Sequence, residues 1–100
     1  MIYNIRKQLP DDELLAQLAE ECGELAQAAL KLRRVIDGRN PTPVSYEEAL
    51  DALHEEASDV LLCMLVLEID VNDPEFAKRA AAKLLRWIER LRDKEAESHG

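Results

Sequence analysis

Apolar residues recur at alternating steps of three and four along two separate stretches. The first runs Leu15, Leu18, Cys22, Leu25, Ala29, Leu32, Ile36, and the second Tyr46, Leu50, Leu53, Ala57, Val60, Met64, Leu67. A mean step of 3.5 keeps one line of side chains on one face of a helix, so each stretch reads as a long helix with a heptad seam. A shorter seam follows at Ala80, Leu84, Trp87 and Leu91, with Trp87 expected in the core. Aromatics make up 4% of the chain and there are three glycines, while Ala, Leu, Glu and Arg abound, so an all-α fold is expected. One hundred residues suffice for a single domain, 1–100, with a modest core. Long helices in so short a chain expose wide flanks, which favours two chains sharing one core.

Local signals bound three long helices. Pro10-Asp11-Asp12 opens the first, with an Asp at the cap and Glu13 in the first turn. It extends to about Ile36, where Lys31, Arg33 and Arg34 suit the C-terminal dipole and Gly38 supplies a stop. Residues 38–44, with Pro41 and Pro43, read as a loop. Ser45-Tyr46-Glu47-Glu48 fits a capping box for a second helix reaching about Ile69. Asp73 caps the third, Pro74 takes its first position, and it runs to the middle nineties. Residues 2–9 are compatible with a short helix or an extended lead-in.

Acidic pairs accompany the first two seams in phase. Glu21 and Glu24 precede seam positions 22 and 25, and Glu56 and Asp59 precede 57 and 60. Glu21 and Glu56 are 35 residues apart, five heptads, so both pairs border their seams on the same side. A spacing of three stacks two carboxylates on one helix face. Alone, either pair reads better as a solvated face than as a site. Two in-phase pairs on antiparallel helices would instead bring four carboxylates to one point, where they repel unless cations lie between them. All-oxygen donors suit a hard ion, Mg2+ or alternatively Mn2+. Gly23 and Ser58 place small side chains between the members of each pair. Gln17, one turn before Glu21, is a candidate substrate contact for a base or sugar.

The third helix carries Arg79, Lys83, Arg86 and Arg90 one residue before its seam positions, a basic line that could meet phosphates or simply pair with Glu75, Glu89 and Asp93. The formal charge of −8, from 13 basic and 21 acidic residues, argues against a nucleic-acid polymer as partner. Cys22 and Cys63 stand singly, with no CxxC, and read as reduced, buried, small apolar side chains. Asp51-xx-His54 has no counterpart on another helix, which disfavours a di-iron site built on a pair of ExxH motifs. The first ten residues lack an apolar run and Val60 to Leu67 is too short to cross a bilayer, so no membrane association and a cytoplasmic location are expected.

Taken together, Glu20-Glu21-xx-Glu24 and Glu56-xx-Asp59, within "QLAEECGELAQAALK" and "EEASDVLLCMLVL", resemble the MazG-like all-alpha nucleoside triphosphate pyrophosphohydrolases from about residue 11 to 92. The resemblance implies Mg2+-dependent hydrolysis of an NTP or dNTP between the α and β phosphates, giving a monophosphate and pyrophosphate. It implies Glu21, Glu24, Glu56 and Asp59 as metal ligands, and Lys83 and Arg86 as phosphate contacts. Ala82 stands where many such proteins carry an Asn before that Lys. Glu21 or Glu24 would position the attacking water or take its proton. The family forms homodimers or homotetramers whose helices complete four-helix-bundle cores. Two alternatives stand beside it. The related phosphoribosyl-ATP pyrophosphohydrolases usually have Tyr-His where this chain has Leu62-Cys63, and a non-catalytic oligomerisation module would need only the seams.

Overall fold

The computed structural model describes residues 1–99, which form four helices and no strand. In chain order they are α1 (Ile2–Gln8), α2 (Asp11–Asp37), α3 (Tyr46–Val66) and α4 (Pro74–His99). None is long and apolar enough to cross a membrane. The chain divides into two compact units, Met1–Ile69 and Asp70–Gly100.

In the first unit α2 and α3 pack as an antiparallel pair, with α1 against α3. The lead-in is helical. Pro10, in an extended conformation, occupies the N-cap of α2 with no side-chain bond, in place of the expected Asp. Proline offers no side-chain acceptor, and the start of α2 relies on Asp11, Asp12 and Glu13 in its first turn. Gly38 ends the helix in the left-handed region at φ 71°, donating its amide to the Arg34 carbonyl. Ser45 caps α3 by accepting from the Glu48 amide at 3.1 Å, and its hydroxyl donates to Glu48 Oε1 at 3.1 Å.

α3 stops at Val66, short of the expected Ile69, because the chain turns through a Schellman motif. Glu68 takes φ 63°, its amide bonds the Leu65 carbonyl and the Ile69 amide bonds the Met64 carbonyl. Arg6 of α1 reinforces this end: its Nη1 donates to the Val66 carbonyl at 2.6 Å, and its guanidinium lies 3.7 Å from Glu68 and 3.6 Å from Asp11. A carbonyl left over at the helix end thereby gains a charged donor from another element.

The covered line of α2 differs from the seam read in the sequence. Leu14 is buried, and Leu18, Glu21, Leu25, Ala28, Leu32 and Val35 are half-buried, whereas Leu15, Cys22, Ala29 and Ile36 face outward. Leu18, Leu25 and Leu32 belong to both lines; the flank that meets α3 is the one on the other side of them. Cys22 is therefore exposed rather than buried. On α3 the covered line is Ala49, Ala52, Glu56, Asp59, Cys63 and Val66, and the adjoining Leu50, Leu53, Val60, Met64 and Leu67 are half-buried too. Carboxylates thus lie in the helix–helix contact rather than beside it.

The second unit is built on α4. Asp73 caps it by accepting from the Glu75 amide at 2.8 Å, with Pro74 in the first position as expected. Trp87 is 59% exposed rather than core; within this unit α4 has no second helix to pack against.

Candidate functional site

Glu21 sits mid-way along α2 at a seventh-residue core position between Leu14 and Ala28, and Glu24 follows one turn on. Opposite them, Glu56 occupies the covered line of α3 between Ala52 and Asp59. One carboxylate oxygen from each of Glu21, Glu24 and Glu56 lies within 4.8 Å of the others. Asp59, half-buried on α3, is not part of this group of three.

Hydrogen bonding divides the cluster into satisfied and unsatisfied oxygens. Gln17 Nε2 donates to Glu21 Oε1 at 2.8 Å. Glu21 Oε2 and Glu56 Oε2 are buried with no partner. An unpaired buried carboxylate oxygen is costly, so each calls for a proton or a cation. The Glu24 carboxyl is pushed up from 4.5 to about 6, first by the adjoining Glu21 carboxylate and then by the charge of Glu56. A carboxyl in this range holds its proton to a higher pH than a free Glu, because ionising it would add a third negative charge to the group.

The surroundings suit a small hard cation. The donors are all carboxylate oxygens on two helices, and two of them lack any other partner. Space beside Gly23 is open, with nothing within 4 Å of where a Cβ would stand. Ser58 is drawn back along its own helix, donating to the His54 carbonyl at 3.0 Å. Burial, followed by the charges of Glu21, Asp59 and Cys22, raises the Cys63 thiol above its ordinary range, so it is a poor nucleophile.

Two hollows adjoin the cluster on opposite sides along α2. Towards the start of α2 an apolar cavity of about 240 Å³ is lined by Leu14, Gln17, Leu62, Cys63 and Val66, together with Ile5 and Leu9 of the α1 segment. Gln17 thus borders both this cavity and Glu21. Towards the end of α2, Glu24 and Glu56 share a groove of about 590 Å³ with Lys31 and Arg34. Neither cation was singled out as a site residue in the sequence, where both read as dipole partners at a helix end. Their spacing was the available signal, since residues 24, 27, 31 and 34 follow one face. Lys83 and Arg86 lie in the second unit, along a groove of α4 with Ala80, Leu84, Trp87 and Arg90.

Comparison with protein families, curated proteins and solved structures gave no match.

Proposed function

We propose that the chain is a Mg2+-dependent nucleoside triphosphate pyrophosphohydrolase of the MazG-like type, cleaving an NTP or dNTP between the α and β phosphates. The observation that carries this reading is the meeting of Glu21, Glu24 and Glu56 with two buried oxygens unpartnered. Those three residues would hold the cation, and the resemblance adds Asp59 from the next turn of α3. Bound Mg2+, or Mn2+ in its place, would supply Lewis acidity and offset the charge that develops on the phosphates.

The residues of the chain do the rest. Gln17 fixes the Glu21 carboxylate through its 2.8 Å bond and lines the apolar cavity in which a base or sugar would lie. Water attacks phosphorus, its proton passes to a carboxylate oxygen of Glu21 or Glu24, and the α–β bridging oxygen leaves with pyrophosphate. The phosphate role of Lys83 and Arg86 rests on the resemblance.

Oligomerisation into four-helix-bundle cores, as a homodimer or homotetramer, completes the proposal. Leu14, Ala49 and Val66 are the buried residues of the core, while Leu15, Leu30, Ile36, Leu61, Leu62 and Leu65 are all more than two-fifths exposed. A second copy of this chain is the occupant that would cover them. Two free thiols and a triphosphate substrate fit a reducing cytoplasm.

Pyrophosphate release over a panel of ribo- and deoxyribonucleotides, with and without Mg2+, tests the activity. Metal-dependent release with at least one nucleotide, lost in Glu56→Gln, is expected. Absence of release across the panel, or full activity in Glu56→Gln, would overturn the reading.

A further inference from the structure

Resting on the hydrolase reading, we propose that Lys31 and Arg34 hold the end of the phosphate chain farthest from the nucleoside, so that substrate lies along α2 with its base towards Gln17. The groove beyond the carboxylates has Glu24 and Glu56 at one end and Lys31 and Arg34 at the other, with Ala28 and Ala52 between them. Alanines there leave room between the helices. Among the described residues the ion pairs involve Arg6 and Arg39, and Lys31 and Arg34 form none. Two free cations beside two carboxylates they do not pair with are arranged for a third, anionic party.

Reach agrees with this. Lys31 is seven residues beyond Glu24, about 10 Å along the axis. Helical side chains lean towards the N-terminus, which brings both cationic heads back in the direction of the carboxylates. A cation between the carboxylates and the near phosphates would then be followed, along one groove, by a lysine and an arginine for the far ones. Arg34 can grip a phosphate with two parallel donors, whereas Lys31 acts as a compact charge. On the opposite side of Glu21 the cavity at Gln17 is apolar. Apolar cavity, carboxylates and cations therefore follow one another along α2 in the order of base, α–β linkage and terminal phosphates.

The test compares wild type, Lys31→Gln/Arg34→Gln and Lys83→Gln/Arg86→Gln by calorimetric titration with inorganic pyrophosphate and with a nucleoside monophosphate, both in Mg2+. Mn2+ binding is followed separately by electron paramagnetic resonance. Loss of two charge-assisted contacts should weaken pyrophosphate by about tenfold or more in Lys31→Gln/Arg34→Gln. Mn2+ affinity, helicity and monophosphate affinity should stay as in wild type, and Lys31→Arg should retain pyrophosphate binding. Unchanged pyrophosphate affinity in that variant, or a loss confined to Lys83→Gln/Arg86→Gln, with Mn2+ bound normally, would overturn this inference and leave the hydrolase reading standing. A wild-type chain that binds neither Mn2+ nor pyrophosphate would remove both.

Discussion

Glu21 on α2 and Glu56 on α3 reach across the helix pair to within 4.8 Å of each other, and each keeps its Oε2 buried without a hydrogen-bond partner. Packing alone would favour apolar side chains at both positions, since each lies in the covered line of its helix. Carboxylates there weaken the pair and create a demand for positive charge. From that tension the expected behaviour of the protein follows.

Glu56→Gln removes one of the two buried charges and one oxygen donor. Without metal the variant should melt no lower than wild type. With Mg2+ at a hundred times its Kd, wild type should gain about 2.7 kcal/mol, upwards of ~10 °C in a chain of this size, and the variant little or nothing. Differential scanning calorimetry with and without Mg2+ measures both. An equal metal response in the two proteins would remove Glu56 from the site.

Glu24 sets a pH dependence. Its folded-state value of about 6 lies above the ordinary 4.5, so its contribution is fully present below about pH 4.5 and lost as pH rises through 6. The metal-free protein should therefore lose stability between pH 4.5 and 6.5 on this account, and the difference between wild type and Glu24→Gln isolates it. Metal must displace the same proton, so Mn2+ affinity should climb over that range. Melting curves and Mn2+ titrations at pH 5 and pH 7 check the two signs.

Gln17 should act on metal binding through Glu21, whose carboxylate it holds at 2.8 Å. Gln17→Ala frees Glu21 Oε1 to rotate, and loss of such an orienting bond costs about 10- to 100-fold in metal affinity. If Gln17 also meets the base or sugar, KM for nucleotide should rise even at saturating Mg2+. Steady-state kinetics at fixed nucleotide with varied Mg2+, then the reverse, separates the two effects.

Arg6 and Glu68 make a test at the other end of α3. Arg6→Met leaves the Val66 carbonyl short of a donor and should destabilise the first unit by about 1–2 kcal/mol. Glu68→Gly loses an exposed ion pair worth less than about 1 kcal/mol but removes left-handed strain of about 1–2 kcal/mol. Urea unfolding should therefore find the glycine variant at least as stable as wild type, and the methionine variant clearly less so.

The helices, their caps at Ser45 and Asp73, and the stop at Gly38 were legible because each rests on a local signal within a few residues. The meeting of Glu21, Glu24 and Glu56 was legible from matched spacing on two helices. The register of α2 was not. Its apolar residues form two lines that share Leu18, Leu25 and Leu32, and a reader who follows hydrophobicity chooses Leu15, Cys22, Ala29 and Ile36 over a line that passes through Glu21. Lys31 and Arg34 escaped for a related reason: cations near a helix end already have an explanation in the dipole, so nothing local marks them as lining a groove.

That double line has a consequence for anyone redesigning the molecule. Rolling α2 by about 50°, half the angle between successive residues, would exchange one apolar flank for the other at little loss of contact. Leucine at positions 21 and 56 would tighten today's pairing, yet those acids would also tell the two rolls apart if a divalent ion binds between them. Hydrophobic repair of the weakest layer would therefore erase the feature that chooses between the two arrangements.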